Sequence, residues 1–182
     1  MNDKAKLITK YKIETERLNL LPVVDNDVAD IFRFMSNPNT TDLLSSLKPH
    51  ESIKDTKTLI DTLSKFGIRS HLWAIRIETV YYVIGLVHFF LLEKNKAEIH
   101  YILAEEFWNK GLTTEAVNSI LSWACSIYPQ LRIIGSYVTE ANIASCRVLE
   151  KCGFKIVNRR CVRSSKSYPF FVNMVYYQLN LD

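Results

Sequence analysis

Apolar side chains recur at helical spacing in four segments of the chain. In the first, Val28, Ile31, Phe32 and Met35 follow the i, i+3, i+4, i+7 pattern of one helix face, and Asn37-Pro38 ends the segment. The other three segments carry comparable apolar stripes, and two of them end at a glycine. The pattern predicts helices over Asp25–Met35, Ser52–Phe66, Thr113–Ser126 and Asn142–Cys152.

Seven further segments are rich in β-branched and aromatic residues and are bounded by short polar breaks, which is typical of strands. They are Leu18–Pro22, His71–Ile77, Tyr81–Leu92, Ala97–Leu103, Arg132–Val138, Phe154–Val162 and Phe170–Leu179. Residues 1–12 are predicted to be a flexible polar arm, residues 38–51 a loop and Ser164–Pro169 a polar turn. The order β-α-α-β-β-β-α-β-α-β-β predicts an α+β fold with one mixed, twisted sheet of about seven strands and helices on both faces.

Composition narrows the class of protein. The 182 residues suffice for one domain, predicted over 13–182, and the net charge of +4 is spread along the chain without a Lys/Arg run of five or more. We therefore expect a solvated surface and no nucleic-acid partner. The longest apolar stretch, Val83–Leu92, is too short to cross a membrane.

The four cysteines form no CxxC pair and no zinc-ligand spacing, so we expect buried free thiols in a reducing compartment and no metal site. The first residues lack the apolar core of a signal peptide. Together these features predict a soluble, cytoplasmic protein without a membrane partner.

A tight turn at Asn109-Lys110-Gly111 comes between a predicted strand and the helix that follows. The first N–H groups of a helix have no intrahelical partner, and with the helix dipole they form a site for phosphate groups. Lys110 can add charge, and Thr113 or Thr114 a hydroxyl donor. The spacing alone also fits a plain turn residue at Gly111 and a helix cap at Thr113.

A second segment, Thr139–Phe154, allows two interpretations as well. Asn142 can simply cap a helix that Gly153 closes. Alternatively, Asn142 and Ser145 face a ligand between this helix and the preceding one.

Both segments, in this order, match the motifs of a known family. Glu98–Leu103 resembles a strand of the type EIGYWL, Phe107–Ala116 resembles YWGKGYATEA, and Asn142–Phe154 resembles NxxSxRVLEKxGF. Thr15–Leu20 is similar to an opening strand TERLxL, so the resemblance covers roughly Ile13 to Leu179. The chain thus resembles the GNAT superfamily of N-acetyltransferases, in its RimJ/RimL-like branch of ribosomal-protein N-terminal acetyltransferases.

The resemblance implies a V-shaped split between two parallel strands that holds acetyl-CoA as co-substrate. Backbone groups of the strand end would contact the pantetheine arm, and Asn142 would contact it from the helix. These backbone positions are Ile102, Leu103 and Ala104. The N–H groups of the following turn and helix start would hold the pyrophosphate: Asn109, Lys110, Gly111, Leu112, Thr113 and Thr114.

The chain departs from the family pattern where the reaction would take place. The tyrosine that protonates the CoA thiolate in many relatives is replaced by Leu149, which leaves Ser145 as the implied substitute. Thr113 stands where a Gly or Ala is usual, and His100 replaces a Gly. Segment Ser164–Asn173 lacks the carboxylate common in this branch.

Glu98 and His100 fall on one face of their predicted strand and are the candidate general bases, although a structural Glu and a packed His fit the pattern as well. Trp73 and His88 are candidates for an acceptor pocket or for core packing. A weak base suits an α-amine, about 10% neutral at pH 7, better than a lysine, about 0.04% neutral.

We therefore expect an N-acetyltransferase acting on the α-amine of a protein or peptide, as a monomer or homodimer. The alternatives are an acetyltransferase for a small amine, such as an amino acid, polyamine or aminoglycoside, and a non-catalytic acyl-CoA-binding protein.

Overall fold

Eight strands form one mixed sheet in the computed structural model, which describes residues 11–42, 44, 47–163 and 171–181. The strands are β1 (Ile13–Glu14), β2 (Asn19–Pro22), β3 (Arg69–Arg76), β4 (Gly85–Glu93), β5 (Lys96–Leu103), β6 (Ile133–Thr139), β7 (Lys155–Arg163) and β8 (Phe171–Asn180). Their order in the sheet is β1-β2-β3-β4-β5-β6-β8-β7. Every neighbouring pair is antiparallel except β5 and β6, which run parallel.

Five α-helices accompany this sheet in the described residues. They are α1 (Val28–Met35), α2 (Pro38–Thr41), α3 (Ile53–Leu63), α4 (Leu112–Ile127) and α5 (Ile143–Lys151). Short 3-10 turns at Asp25–Asp27 and Glu105–Phe107 precede α1 and α4.

The four predicted helices and seven predicted strands are confirmed, with small changes at their ends. Strand β4 begins at Gly85 instead of Tyr81. The prediction of a loop over residues 38–51 is wrong at its start, because the Asn37 side chain accepts from the N–H of Asn39 and Pro38 occupies the first turn of α2. Strand β1 was not predicted. The predicted turn Ser164–Pro169 and residues 1–10 of the predicted arm lie outside the described residues.

Helices cover both faces of the sheet, as predicted. Successive side chains of a strand point to opposite faces. On β4, the Phe89 ring packs edge-on against Trp123 of α4, whereas the Phe90 ring packs against Phe66, which follows α3. Helices α3 and α4 therefore lie on opposite faces of the sheet.

The parallel pair opens into the predicted split. Residue pairing between β5 and β6 covers only Lys96–Glu98 and Ile133–Gly135, although both strands continue beyond those residues. Just past the last pair, the Ser136 hydroxyl donates to the carbonyl oxygen of Ile99 at 2.7 Å. The strand ends diverge from that point.

All four cysteines are free, but only two are buried. Cys146 and Cys152 lie on and just after α5, whereas Cys125 and Cys161 are exposed. The expectation of buried thiols is thus wrong for the exposed pair, because Cys125 lies on the solvent side of α4 and Cys161 on the edge strand β7.

Candidate active site

A cleft of about 990 Å³ opens at the split between β5 and β6. Its walls come from the diverging ends of those two strands, the start of α4, helix α5 and one face of the sheet. Most of the predicted site residues line it: Glu98, His100, Ile102, Leu103, Asn109, Gly111, Leu112, Thr113, Thr114, Asn142 and Ser145. The sequence motifs therefore converge on one cavity.

The turn before α4 and the first residues of the helix line the cleft, and the first N–H groups of a helix have no intrahelical partner. Gly111 is the N-cap of α4, has φ of 74° and provides no side-chain cap, and Asn109 also has a positive φ of 59°. A Cβ at Gly111 would meet only Arg17 Nη2, at 3.6 Å, so the backbone conformation and not space favours glycine. Because the cap is Gly111, the interpretation of Thr113 as a helix cap is wrong.

Along β5, the main-chain N–H and C=O groups of every second residue point towards the split, and those of the residues between them point towards β4. The N–H of Ala104 donates to the Ile84 carbonyl at 2.8 Å, so Ala104 and, two residues earlier, Ile102 direct their main chain towards β4. Tyr101 and Leu103 therefore point theirs towards the split, and the Leu103 carbonyl accepts from Trp108 Nε1 at 2.7 Å.

Two predicted cofactor-binding residues, Ala104 and Lys110, are not among the residues that line the cleft. The main chain of Ala104 is paired with Ile84, as described above. The Lys110 ammonium donates to the carbonyl of Glu106 at 2.8 Å and lies 5.2 Å from the centre of the Phe107 ring. The main chain of Ala104 and the ammonium group of Lys110 are thus used in local contacts, whereas a contact of the Lys110 N–H with the cofactor stays a prediction.

Asn142 is confirmed as the cap of α5, and its position also allows the contact with a ligand that the sequence left open. Its side-chain oxygen accepts from the N–H of Ser145 at 3.0 Å and so caps α5. The same side chain lines the cleft. Since the oxygen is used by the cap, the NH₂ group is the part of the amide that can donate to a ligand.

Tyr101 contacts Ser145 across the cleft wall, and the sequence analysis missed it. The phenol donates to the Ser145 carbonyl at 3.0 Å and lies 2.9 Å from the Ser145 hydroxyl. Burial raises the pKa of Tyr101, so the phenol keeps its proton. Leu149 is fully buried. The one feature of the sequence that bears on this contact is strand alternation, which places the Tyr101 side chain on the face opposite to Glu98 and His100.

Glu98 and His100 lie side by side on the α3 face of the sheet. His100 Nε2 is 3.1 Å from Glu98 Oε2, and the His100 ring stacks on Phe90 at 5.6 Å between ring centres. The side chain of Glu98 is 13% exposed and that of His100 39%. This carboxylate–imidazole pair can accept a proton from a group in the cleft and pass it to solvent.

The two candidates for the acceptor pocket, His88 and Trp73, lie on opposite faces of the sheet. His88 lines the cleft, and its Nε2 is 2.8 Å from the Ser70 hydroxyl. Burial, with a smaller contribution from His100, lowers the pKa of His88 to about 4, so its ring is neutral at pH 7. Trp73 lies on the other face, 4.8 Å from the Trp123 ring, and belongs to the core.

Charge is unevenly distributed around the cavity. Among the described residues that line it, Glu98 is the only carboxylate, whereas Arg147, Lys151 and Arg160 provide three cationic groups. Arg160 lies over the Tyr137 ring at 4.7 Å. The α3 side is mainly apolar and aromatic: Met35, Leu47, Leu59, Leu63, Phe66, Leu72 and Phe90.

Two general features of the described residues complete this picture. No three His, Cys, Asp or Glu side chains there come together as metal ligands would. No helix within them has both the length and the apolar character needed to cross a membrane.

Comparison with known proteins agrees with the geometry. Residues 17–155 match the family model described as the acetyltransferase (GNAT) domain. The chain is 33% identical over 150 residues to the uncharacterized N-acetyltransferase YoaA of Bacillus subtilis, which covers 79% of this chain and 82% of that protein.

Solved structures share the fold at lower identity. A spermidine N-acetyltransferase from Vibrio cholerae, in complex with CoA and spermine, superimposes with a TM-score of 0.75 at 20% identity and covers 91% of this chain and 96% of its own. RimL, a ribosomal L7/L12 alpha-N-protein acetyltransferase in complex with CoA, gives 0.74 at 18% identity, with 94% and 98% covered.

Proposed function

This chain belongs to the GNAT acetyltransferase family, and from that premise we propose that it transfers the acetyl group of acetyl-CoA to the α-amino group of a peptide or protein. The observation that carries the proposal is the composition of the cleft. A split of the size and lining expected for the donor opens onto an apolar pocket in which Glu98 is the only carboxylate among the described residues.

The described residues fit acetyl-CoA along the whole split. The N–H groups of Gly111 to Thr114, at the positive end of α4, would hold the pyrophosphate, and Arg147 and Lys151 add cationic charge to the same cavity. The β5 edge at Tyr101 and Leu103 offers main-chain groups to the pantetheine amides, and the Asn142 NH₂ group offers a further donor. Donors at the strand end would also polarise the thioester carbonyl.

Glu98 and His100 would take the proton that the attacking amine loses. Their side chains lie on the acceptor face of the split and are 3.1 Å apart, so a proton received by one can pass to the other. As the new C–N bond forms and the C–S bond breaks, the amine proton leaves towards this pair.

Ser145 would donate a hydrogen bond to the departing sulfur, and the CoA thiolate would then take its proton from water. Its hydroxyl lines the cleft on the α5 side, opposite to Glu98, and is held by Tyr101 at 2.9 Å. This pair of hydroxyls would provide the hydrogen bond to the sulfur that the buried, apolar Leu149 side chain cannot provide. The hydrogen-bond donor to the sulfur and the base therefore act from opposite faces of the sheet.

The acceptor side favours an α-amine over a polyamine. A polyamine carries several positive charges, and among the described residues that line the cavity Glu98 is the only carboxylate that could pair with them. A peptide N-terminus brings one amine, and its first side chain fits the apolar surface of Leu63, Phe66 and Phe90. An amine with a pKa near 8 also needs only a weak base.

The test is transfer from acetyl-CoA to two panels of acceptors. One panel holds peptides with free N-termini and the same peptides with blocked N-termini and an internal lysine; the other holds spermidine, amino acids and an aminoglycoside. We expect CoA release with the free peptides alone and mass spectra that place the acetyl group on the α-amine. Transfer confined to lysine side chains or to the small amines would overturn the proposed acceptor, and CoA binding without any transfer would favour a non-catalytic protein.

Glu98→Gln gives a second readout of the proposal. The variant should lose most turnover at pH 7 and recover part of it at pH 9, where an α-amine is already largely neutral. Glu93→Gln, on the same sheet but outside the cleft and ion-paired to Lys96, serves as the matched control.

A further inference from the structure

We propose that Arg17 is a positioning residue for acetyl-CoA: it holds the turn before α4 in the conformation that binds the pyrophosphate. The proposal rests on the proposed donor site but not on the proposed acceptor. Arg17 lies between β1 and β2, far from this turn in sequence, and it is absent from the residues that line the cleft.

The guanidinium of Arg17 bonds two parts of the turn–helix unit at once. Its Nη1 donates to the main-chain oxygen of Lys110 at 2.9 Å, in the middle of the turn. Its Nε donates to Glu115 Oε2 at 2.7 Å, and Nη2 lies 2.6 Å from the same oxygen. Arg17 thus ties the turn to the first turn of α4.

Glu115 is held in place from its other oxygen. Its Oε1 accepts from the Thr15 hydroxyl at 2.6 Å and from the Arg17 N–H at 3.0 Å. Both carboxylate oxygens are therefore used, and each bond comes from the segment between β1 and β2. A charged, two-pronged contact of this kind fixes geometry better than a single bond.

The turn needs such support because its backbone is unusual. Asn109 and Gly111 both have positive φ, and Lys110, whose carbonyl Arg17 holds, lies between them. No side chain caps α4 at Gly111. Without the guanidinium, other conformations of the turn become accessible, and the N–H groups would have to be ordered when the ligand binds.

Arg17 acts through the turn and not as a phosphate ligand. Its three nitrogen atoms are engaged with Lys110 and Glu115, and its charge is balanced by that carboxylate. Nη2 lies 3.6 Å from the position of a Cβ on Gly111, and Arg17 is not among the residues that line the cleft. Thr15, Arg17 and Glu115 therefore form one unit that joins the opening motif to the helix motif.

The experiment compares two donors in the full-length Arg17→Gln variant. Acetyl-CoA carries the pyrophosphate, whereas S-acetylpantetheine lacks it and cannot use the turn. We expect kcat/KM with acetyl-CoA to fall roughly tenfold or more, with kcat nearly unchanged, and kcat/KM with S-acetylpantetheine to stay within about twofold. The Kd of CoA, measured by calorimetry without any acceptor, should rise by the same factor as KM.

Two further variants sharpen the result. Glu115→Gln should reproduce the loss, and the double variant should lose little more than either single one, because the two residues act as one unit. Arg132→Gln is the matched control: its guanidinium also bonds loop carbonyls, those of Pro129 and Leu131, but at the other end of α4. That variant should keep its affinity for CoA.

An equal loss with both donors would overturn the proposal, since it would indicate general damage to the fold. An unchanged Kd for CoA in Arg17→Gln would overturn it too. Neither result depends on which amine accepts the acetyl group, so a wrong acceptor and a wrong role for Arg17 remain distinguishable.

Discussion

In the hydrogen bonds between Tyr101 and Ser145, each hydroxyl has one defined role as donor. A phenol has one proton, and that of Tyr101 goes to the Ser145 carbonyl. In the second contact, at 2.9 Å, the serine hydroxyl is then the donor. A sulfur atom that develops negative charge in the cleft competes with Tyr101 for this proton, and a small rotation of the hydroxyl redirects it.

Removing the hydroxyl should therefore affect the chemical step more than donor binding. For Ser145→Ala we expect kcat to fall roughly 10- to 100-fold, with the Kd of CoA changed less than about threefold. Steady-state kinetics and calorimetry measure the two quantities. Tyr101→Phe, which keeps the serine, should lose less, and equal kcat in Ser145→Ala and the unchanged protein would contradict the assigned role.

Asn142 should show the two roles of its side chain separately. Asn142→Ala loses the cap of α5, which lowers the free energy of unfolding by about 1 kcal/mol, and it also loses a donor to the ligand, which raises the Kd of CoA. Urea unfolding and calorimetry measure the two effects. Asn37→Ala removes the cap of α2 outside the cleft, so it should lower stability with an unchanged Kd.

Single residues were predictable where one element determines their direction. Strand alternation placed Glu98 and His100 on one face, and the helix start placed Asn142 at a cap. The contact of Tyr101 with Ser145 joins two elements 44 residues apart in sequence, so no local pattern indicates it. The bonds from Arg17 to Glu115 could not be predicted either, because these two residues also lie on elements far apart in the sequence.

At the scale of the elements, the packing of side chains between β6 and β8 depends on a glycine, Gly135. Gly135 faces Tyr176, and a Cβ there would lie 2.0 Å from the Tyr176 hydroxyl. The Tyr176 ring also packs on Tyr137, at 4.4 Å between ring centres, which limits how far it can move. The hydroxyl thus occupies the space beside the last residue pair before the split.

Gly135→Ala should accordingly destabilise the protein, by about 1–3 kcal/mol, since the Tyr176 ring must leave its place on Tyr137. Tyr176→Leu shortens the opposing side chain, so the double variant should recover part of that loss. Urea unfolding of the four proteins gives the coupling energy. Strict additivity of the two changes would argue against the contact as the cause.

Elements long enough to show a period were predictable, and shorter ones were not. Helix α2 has four residues and strand β1 has two, fewer than a periodic pattern needs. The position of β8 between β6 and β7 depends on pairing between distant segments. Only the family resemblance suggested the split.

For the molecule as a whole, two histidines, the buried His88 and the half-buried His71, link stability to pH. Burial, with a smaller effect of Arg69 on His71 and of His100 on His88, lowers the pKa of both rings from 6.5 to about 4. Between those values the unfolded chain binds protons that the folded chain does not. Their contribution to stability is complete above pH 6.5 and is lost as the pH falls towards 4.

We therefore expect the free energy of unfolding to decline between pH 6.5 and 4, with His88 accounting for about 2 kcal/mol of the change. Urea unfolding at a series of pH values measures it. In His88→Gln, which retains a polar partner for Ser70, the decline should be shallower. A stability that is flat from pH 7 to 4.5 in the unchanged protein would contradict this origin.

The split also has a consequence for how the sheet meets other chains. A strand edge in the middle of a sheet displays hydrogen-bonding groups that would attract any extended polypeptide. Here that edge lies between β5 and β6, next to the hydrogen bond from Ser136 to the Ile99 carbonyl, and not at the rim of the sheet. The free groups of a sheet are thus placed where a neighbouring protein's edge strand does not meet them first, and slower deuterium exchange at Tyr101 and Leu103 on addition of CoA would report whether the proposed donor occupies that edge.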